Sequence, residues 1–212
     1  GINVFSLLVS PLAKGLFHAA IAESGAPATM TRLESENYTD DTEPGLPGSS
    51  AEVVIALLRK ADRAQTRDEA KAVAAAMSLE ETEAFLRGHS NQELLQPFID
   101  IMDTTMPIYI TPTVFQDGHV ISMGEPIDLF AQPGAYNAVP FIAGTNREES
   151  KLFMLLGDSP HVEKTFGIPS GLRNERLYDV EGEYGGMMWR AQGADEPVSA
   201  MRKVQGPTAW AY

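Results

Sequence analysis

The sequence predicts an α/β fold built on a mostly parallel β-sheet. Short apolar segments of strand length alternate with segments whose apolar residues recur at helical spacing, a pattern typical of strands joined by crossover helices. The chain has 212 residues, 43% of them hydrophobic, which is enough for a substantial core. No internal repeat or low-complexity tract indicates another architecture.

The first thirty residues predict a buried helix followed by a buried strand. Residues 2–9, INVFSLLV, are apolar nearly all round and precede Ser10-Pro11, so we expect a helix buried on most sides. Residues 19–22, AAIA, suit a strand covered on both faces, and Ser24-Gly25 ends it. We assign residues 1–30 to the core.

The next part of the chain predicts an exposed loop and then a set of helices. Residues 31–50 are rich in acidic, hydroxyl, Pro and Gly residues. Four Ser/Thr-x-x-Glu sequences follow, and in each the hydroxyl can accept from an amide of the first turn while the glutamate bonds back to the cap. These are Ser49 to Glu52, Thr66 to Glu69, Ser78 to Glu81 and Ser90 to Glu93. They predict a helical insertion over residues 49–96.

The β pattern returns after the insertion, and we assign residues 106–160 to the core. Residues 107–115, PIYITPTVF, and 119–122, HVIS, flank the turn dipeptide Asp117-Gly118 and predict a hairpin. The other predictions in this part are a helix headed by Pro126, a buried strand AVPFIAG (138–144) and a helix REESKLFMLLG (147–157). Residues 171–212 should form C-terminal helices and the start of a strand.

The composition opposes several classes of partner. Sixteen Lys and Arg against 29 Asp and Glu give a net charge of −13, so we expect no nucleic-acid partner. Without cysteine the chain has no disulfide, thiolate nucleophile or cysteine-ligated zinc. No apolar run approaches the roughly 20 residues of a transmembrane helix, so no transmembrane segment is expected. The compartment stays open among cytoplasm, periplasm and secretion.

Several segments resemble the type-B carboxylesterases, the cholinesterase-like branch of the α/β-hydrolase superfamily. Residues 1–27, GINVFSLLVSPLAKGLFHAAIAESGAP, resemble the segment that follows this family's Gly-Glu-Ser-Ala-Gly nucleophile elbow. Residues 114–122 and 136–154 resemble its strand, loop and acidic block, and residues 187–201 with 206–212 resemble the part before the histidine in bacterial members. The resemblance implies a partial α/β-hydrolase fold, with residues 1–212 an internal segment. The abrupt start inside a helix pattern agrees with that expectation.

The resemblance identifies Glu149 as the acid of a Ser-Glu-His triad. Gly144, Asn146 and Glu149 fit the family's Gly-x-Asn-x-x-Glu, although Ser150 replaces the Gly that usually follows. A triad acid has to be held rigidly where it can orient an imidazole, and the carboxyl end of a parallel strand provides such a place. The neighbouring Glu148 is expected to face solvent or a structural partner.

Ser24 matches a serine that hydrogen-bonds the triad acid in this family, and a simple cap on the strand end is the alternative. Ser24 is not expected to be the nucleophile, because it lacks the Gly two positions earlier that an elbow requires. Each histidine is expected to be structural: His18, in the core or at its boundary, and His89, His119 and His161 in loops or links. No pair of them has metal-ligand spacing.

The function implied by the resemblance is hydrolysis of a small-molecule carboxylic ester through a serine acyl-enzyme. The serine and the histidine would lie outside this segment, which alone should be inactive, and no metal or organic cofactor is implied. The aromatic and Met residues Phe153, Met154, Met187, Met188 and Trp189 are expected in a core, with a substrate pocket as the alternative. Two other functions stay open, an inactive cholinesterase-like binding or adhesion module and a non-catalytic structural fragment. The ester and the oligomeric state also stay open.

Overall fold

The structure is a computed structural model, and it describes residues 1–101, 114–157 and 159–212. Most of the predicted strand 107–115 therefore lies outside the described residues. In chain order the elements are α1 (Ile2–Val9), a 3-10 turn (Pro11–Ala13), β1 (Ala20–Glu23), α2 (Arg32–Glu36), α3 (Ser50–Lys60), α4 (Arg67–Ala76), α5 (Leu79–Arg87), α6 (Asn91–Ile101), α7 (Pro126–Phe130), β2 (Phe141–Gly144), α8 (Glu149–Leu156), β3 (Val162–Thr165), β4 (Ile168–Leu172), α9 (Glu175–Arg190), a π-helix (Ala191–Asp195), α10 (Glu196–Gln205) and β5 (Ala209–Ala211).

The described residues form two compact units. One holds residues 1–30 and 114–212 and contains all five described strands. The other holds residues 31–101 and is helical.

A parallel three-stranded sheet organises the first unit. Its order is β1-β2-β5, and Ala22 of β1 pairs with Ala143 of β2, which pairs in turn with Ala211 of β5. Sequence-distant neighbours in a parallel sheet require crossover connections, which here contain helices. The predicted α/β class with a mostly parallel sheet is confirmed.

One face of this sheet is buried under α1, α7 and α10. Phe5, Phe130 and Phe141 meet there, with the Phe5 ring centroid 6.0 Å from that of Phe130 and 5.5 Å from that of Phe141. The opposite face is open in the described part of the chain, and Ile21 of β1 is 57% exposed. The prediction that this strand is covered on both faces is therefore wrong, because all three helices pack on one side. Leu7 of α1 is likewise half exposed.

Four helices of the helical unit begin at the Ser/Thr-x-x-Glu sequences that predicted them. Ser49 accepts from the Glu52 amide, and Thr66 and Ser78 form complete capping boxes. Ser90 accepts from the Glu93 amide at 3.3 Å, and the Glu93 carboxylate accepts from the Ser90 amide at 2.8 Å. These four helix starts are confirmed, and α6 continues past the predicted end of the insertion at residue 96 to Ile101.

Two local predictions are wrong. The stretch 31–50, expected to be a loop, contains α2, which Thr31 and Glu34 cap with the same kind of box. The stretch 119–122 forms no strand, because the Asp117 carboxylate accepts from the amides of His119, Val120 and Ile121 at 3.0, 2.8 and 2.9 Å. These bonds keep the chain in a turn. The antiparallel hairpin β3-β4 was not predicted.

Candidate active site

The candidate site lies at the carboxyl ends of β1 and β2. The two strands are parallel and in register, so the residues that follow each of them emerge at the same edge of the sheet. The Ser24 amide donates to the Gly144 carbonyl at 2.9 Å and extends the strand pairing by one bond. Glu149 begins α8 five residues after β2 ends.

The side chains of Ser24 and Glu149 are in direct contact. The Ser24 hydroxyl donates to Oε2 of Glu149 at 2.7 Å, and the Asn146 amide donates to the same oxygen at 3.1 Å. The Glu149 amide returns a bond to the Asn146 carbonyl at 3.3 Å, which closes a tight turn. Both side chains are half buried. The carboxylate is thus held from both strand ends.

The backbone of Ser24 adopts an unfavourable left-handed conformation that directs its hydroxyl towards Glu149. Its φ of 52° lies in the left-handed region, which costs a residue with a β-carbon about 1–2 kcal/mol. The conformation turns the serine out of the strand register, and its hydroxyl then reaches Glu149. The Oε1 atom of Glu149 accepts no hydrogen bond within the described part of the chain, so one oxygen is left for a further donor.

Glu148 has a structural partner, as the sequence analysis expected. Its carboxylate lies 3.1 Å from Nζ of Lys151, and the same ammonium lies 2.9 Å from Asp179 on α9. The hydrogen bond to Asp179, followed by that to Glu148, raises the pKa of Lys151 above its usual value. This ion pair ties α8 to α9 and leaves Glu149 outside the network.

Gly144 of the Gly-x-Asn-x-x-Glu sequence is required by space. A β-carbon at this position would overlap the ring of Tyr212, whose amide donates to the Ala143 carbonyl at 3.1 Å. Tyr212 therefore packs over the end of β2. The Gly-x-Asn-x-x-Glu pattern indicated the glycine but not this contact, which joins residues nearly seventy positions apart.

Two cavities flank α8. One of about 500 Å³ is lined by charged residues that include Arg147, Glu148 and Arg190. The other, of about 350 Å³, is mainly apolar, and Phe153 and Trp189 meet at its wall edge to face with centroids 6.0 Å apart. The remaining aromatic and Met candidates line these cavities as well: Met154 and Met188 the apolar one and Met187 the charged one. Met187 and Met188 are more than half exposed, so the core placement is wrong for both.

The histidines take no part in the contact between Ser24 and Glu149. His18 is exposed, so the expectation that it lies in the core or at its boundary is wrong. His89 packs edge-on against Phe85, with centroids 4.7 Å apart, and His161 lies 3.1 Å from Glu181. In the described residues, no group of His, Asp and Glu side chains could hold a metal ion, and no helix is long and apolar enough to span a membrane.

Comparison with known proteins gives a consistent set of similarities. The model of the carboxylesterase family matches residues 1–167. Human carboxylesterase 5A is 29% identical over 165 residues, which cover 76% of this chain and 22% of that protein. Human cocaine esterase is 31% identical over 149 residues, covering 70% of this chain and 21% of that protein.

A solved structure of a PNB esterase aligns with all of this chain and 39% of its own, at 19% identity and a TM-score of 0.47. Rat liver carboxylesterase B-1 is 29% identical over 149 residues, covering 70% of this chain and 23% of that protein. The chain spans about a fifth of the length of these curated relatives.

Proposed function

Because this chain belongs to the carboxylesterase family, we propose that it is the portion of a carboxylic ester hydrolase that supplies the acid of the catalytic triad. Glu149 is that acid. Ser24 and the Asn146 amide are the groups that position it. The substrate is a small-molecule ester, and the reaction proceeds through a serine acyl-enzyme.

The observation that carries this proposal is the hydrogen bond of 2.7 Å between Ser24 Oγ and Glu149 Oε2 at two adjacent parallel strand ends. A triad acid has to keep its histidine in the correct tautomer and stabilise the imidazolium that forms during acyl transfer. A carboxylate with one oxygen fixed by two donors and the other available is suited to this task. An acid that only stabilised a helix N-terminus would need no second strand to hold it.

The remaining groups of the mechanism lie outside this chain in the proposal. The serine attacks the ester carbonyl and passes its proton to the histidine, whose other ring nitrogen donates to Glu149. Backbone amides beside the serine stabilise the oxyanion. The tetrahedral intermediate collapses and expels the alcohol, which takes the proton from the histidine and leaves the acyl-enzyme. Water then attacks the acyl carbonyl and gives a proton to the histidine, which returns it to the serine as the acid product leaves.

Replacement of the acid in the full-length protein tests the proposal. Glu149→Gln keeps the shape of the side chain and removes its charge, so we expect kcat for a short-chain aryl ester to fall by about three to four orders of magnitude. Glu148→Gln is the matched control, since its carboxylate is exposed and bonds to Lys151, and it should keep kcat within a few-fold.

Equal, few-fold effects of the two substitutions would reduce Glu149 to a structural role. A full-length protein that binds aryl esters without hydrolysing them would favour the alternative of a cholinesterase-like binding module. The 212-residue chain by itself is expected to show no esterase activity above that of its Glu149→Gln variant.

A further inference from the structure

Two glycines pack closely against the backbone segments that carry Ser24 and Glu149. Gly186 lies in α9 and Gly193 in the π-helix that follows it, and both are buried. Neither has a positive φ, so conformational freedom does not explain them. A glycine inside a helix costs about 1 kcal/mol relative to alanine, so close packing is the physical reason to look for.

Gly186 touches the loop that leads to Glu149. A β-carbon at this position would lie 2.8 Å from the carbonyl oxygen of Arg147, a distance that requires the backbone to move. Arg147 is two residues before Glu149 and directly follows Asn146, whose amide holds the carboxylate. The absence of a side chain at residue 186 therefore sets how closely this loop approaches α9.

Gly193 touches the other half of the pair. A β-carbon here would overlap the carbonyl oxygen of Gly25, the residue directly after Ser24, and would lie 3.4 Å from the Thr145 methyl. Short π-helical segments are uncommon and occur frequently at functional sites. In this molecule the π-helix brings its glycine against the end of β1.

Gly25 is also packed closely against Gly1, which precedes α1. A β-carbon on Gly1 would be 2.6 Å from the Gly25 α-carbon, and a β-carbon on Gly25 would be 2.5 Å from the Gly1 α-carbon. Gly25 therefore lies close to both Gly1 and Gly193. A displacement of Gly25 imposed at residue 193 would reach Ser24 directly, because one peptide bond joins the two residues.

We propose that Gly186 and Gly193 are positioning residues, which hold the two arms of the Ser24–Glu149 pair at hydrogen-bonding distance. The inference rests on the proposed ester hydrolysis and deepens it. The position of the Glu149 carboxylate would then depend on α9 and the π-helix, although neither contributes a side chain to the contact with Ser24.

The test uses the full-length protein with Gly186→Ala and Gly193→Ala, and Gly88→Ala as the control. Gly88 is the C-cap of α5 and has a negative φ, and a β-carbon there would come no closer than 3.3 Å to any atom beyond its chain neighbours, so no large backbone movement is required. We expect kcat for a short-chain aryl ester to fall about 10- to 100-fold in the two test variants, with KM changed less than threefold. The control variant should keep kcat within about twofold of the parent value, because it does not displace the acid.

A double-mutant cycle separates positioning from general destabilisation. In a Glu149→Gln background, each test substitution should lower kcat less than about threefold, because the function that it disturbs is already lost. Equal losses in both backgrounds would overturn the inference, as would parent-like kcat in folded variants or failure of both variants to fold. A Glu149→Gln protein with parent activity would instead refute the proposed function.

Discussion

Removal of the Ser24 hydroxyl should impair catalysis by a calculable amount. The bond from Ser24 to Glu149 is 2.7 Å long and ends on a carboxylate, and hydrogen bonds to charged groups contribute about 1.5–3 kcal/mol. If that energy serves to align the acid, Ser24→Ala should lower kcat about 10- to 150-fold, since 1.4 kcal/mol corresponds to a factor of ten. The Asn146 amide still holds Oε2 and keeps the loss below that of Glu149→Gln.

The assay is steady-state hydrolysis of a short-chain aryl ester by the full-length protein. Serine and alanine both carry a β-carbon and meet similar strain at the positive φ of residue 24, so the comparison isolates the hydroxyl. Ser35→Ala is a matched control, because the Ser35 hydroxyl donates to the carbonyl of Thr31, the N-cap of its own helix α2, and has no other partner among the described residues. A loss in Ser24→Ala no greater than that in Ser35→Ala would refute the reasoning.

Two further predictions concern stability and packing. Hydrogen bonds from Arg67 hold the pKa of Glu52 at about 2, below its usual 4.5, so the stabilisation is present above pH 4.5 and is lost as pH falls towards 2. The Arg67 side chain is 34% exposed, so solvent screening reduces the contribution to about 1–2 kcal/mol. Arg67→Met should therefore lower the thermal midpoint at pH 7 more than at pH 3, and equal shifts would contradict this assignment. Gly144→Ala should lower the thermal midpoint because its methyl overlaps the Tyr212 ring, and Tyr212→Ala should relieve that loss. If the thermal midpoint of the double variant were no higher than that of Gly144→Ala alone, the overlap with the Tyr212 ring would not be the cause of the loss.

Local signals in the sequence were sufficient for the starts of α3, α4, α5 and α6 in the helical unit. A capping box needs only four consecutive residues, so Thr66 and Ser78 could be recognised without any knowledge of tertiary contacts. The same rule would have found α2 from Thr31 and Glu34, but the acidic and Pro-rich surroundings favoured a loop. The wrong hairpin at Asp117 has a comparable cause, because a side chain that accepts from three following amides competes with strand pairing.

The central contact was predictable in part. Two short apolar segments predicted two buried strands, the first ending at Ser24 and the second shortly before Glu149, and the family resemblance added the pairing of Ser24 with Glu149. The structure places the two side chains in hydrogen-bonding contact. The family itself is confirmed by the match over residues 1–167.

Long-range packing was beyond the reach of the sequence pattern. Ile21 is exposed because the helices pack on the other face of the sheet. A strand with apolar residues on both faces does not indicate which of its faces the helices cover. The approach of Gly193 to Gly25 joins positions far apart in the chain through two residues without side chains. Such residues leave no periodic signal.

The most direct test of the central claim is a crystal structure of the full-length protein at a resolution that separates the two carboxylate oxygens. With Oε2 of Glu149 held by Ser24, the account predicts that Oε1 accepts from an imidazole nitrogen at about 2.6–3.2 Å. A Glu149 carboxylate with no histidine within about 4 Å, or one paired with a lysine or arginine instead, would contradict it.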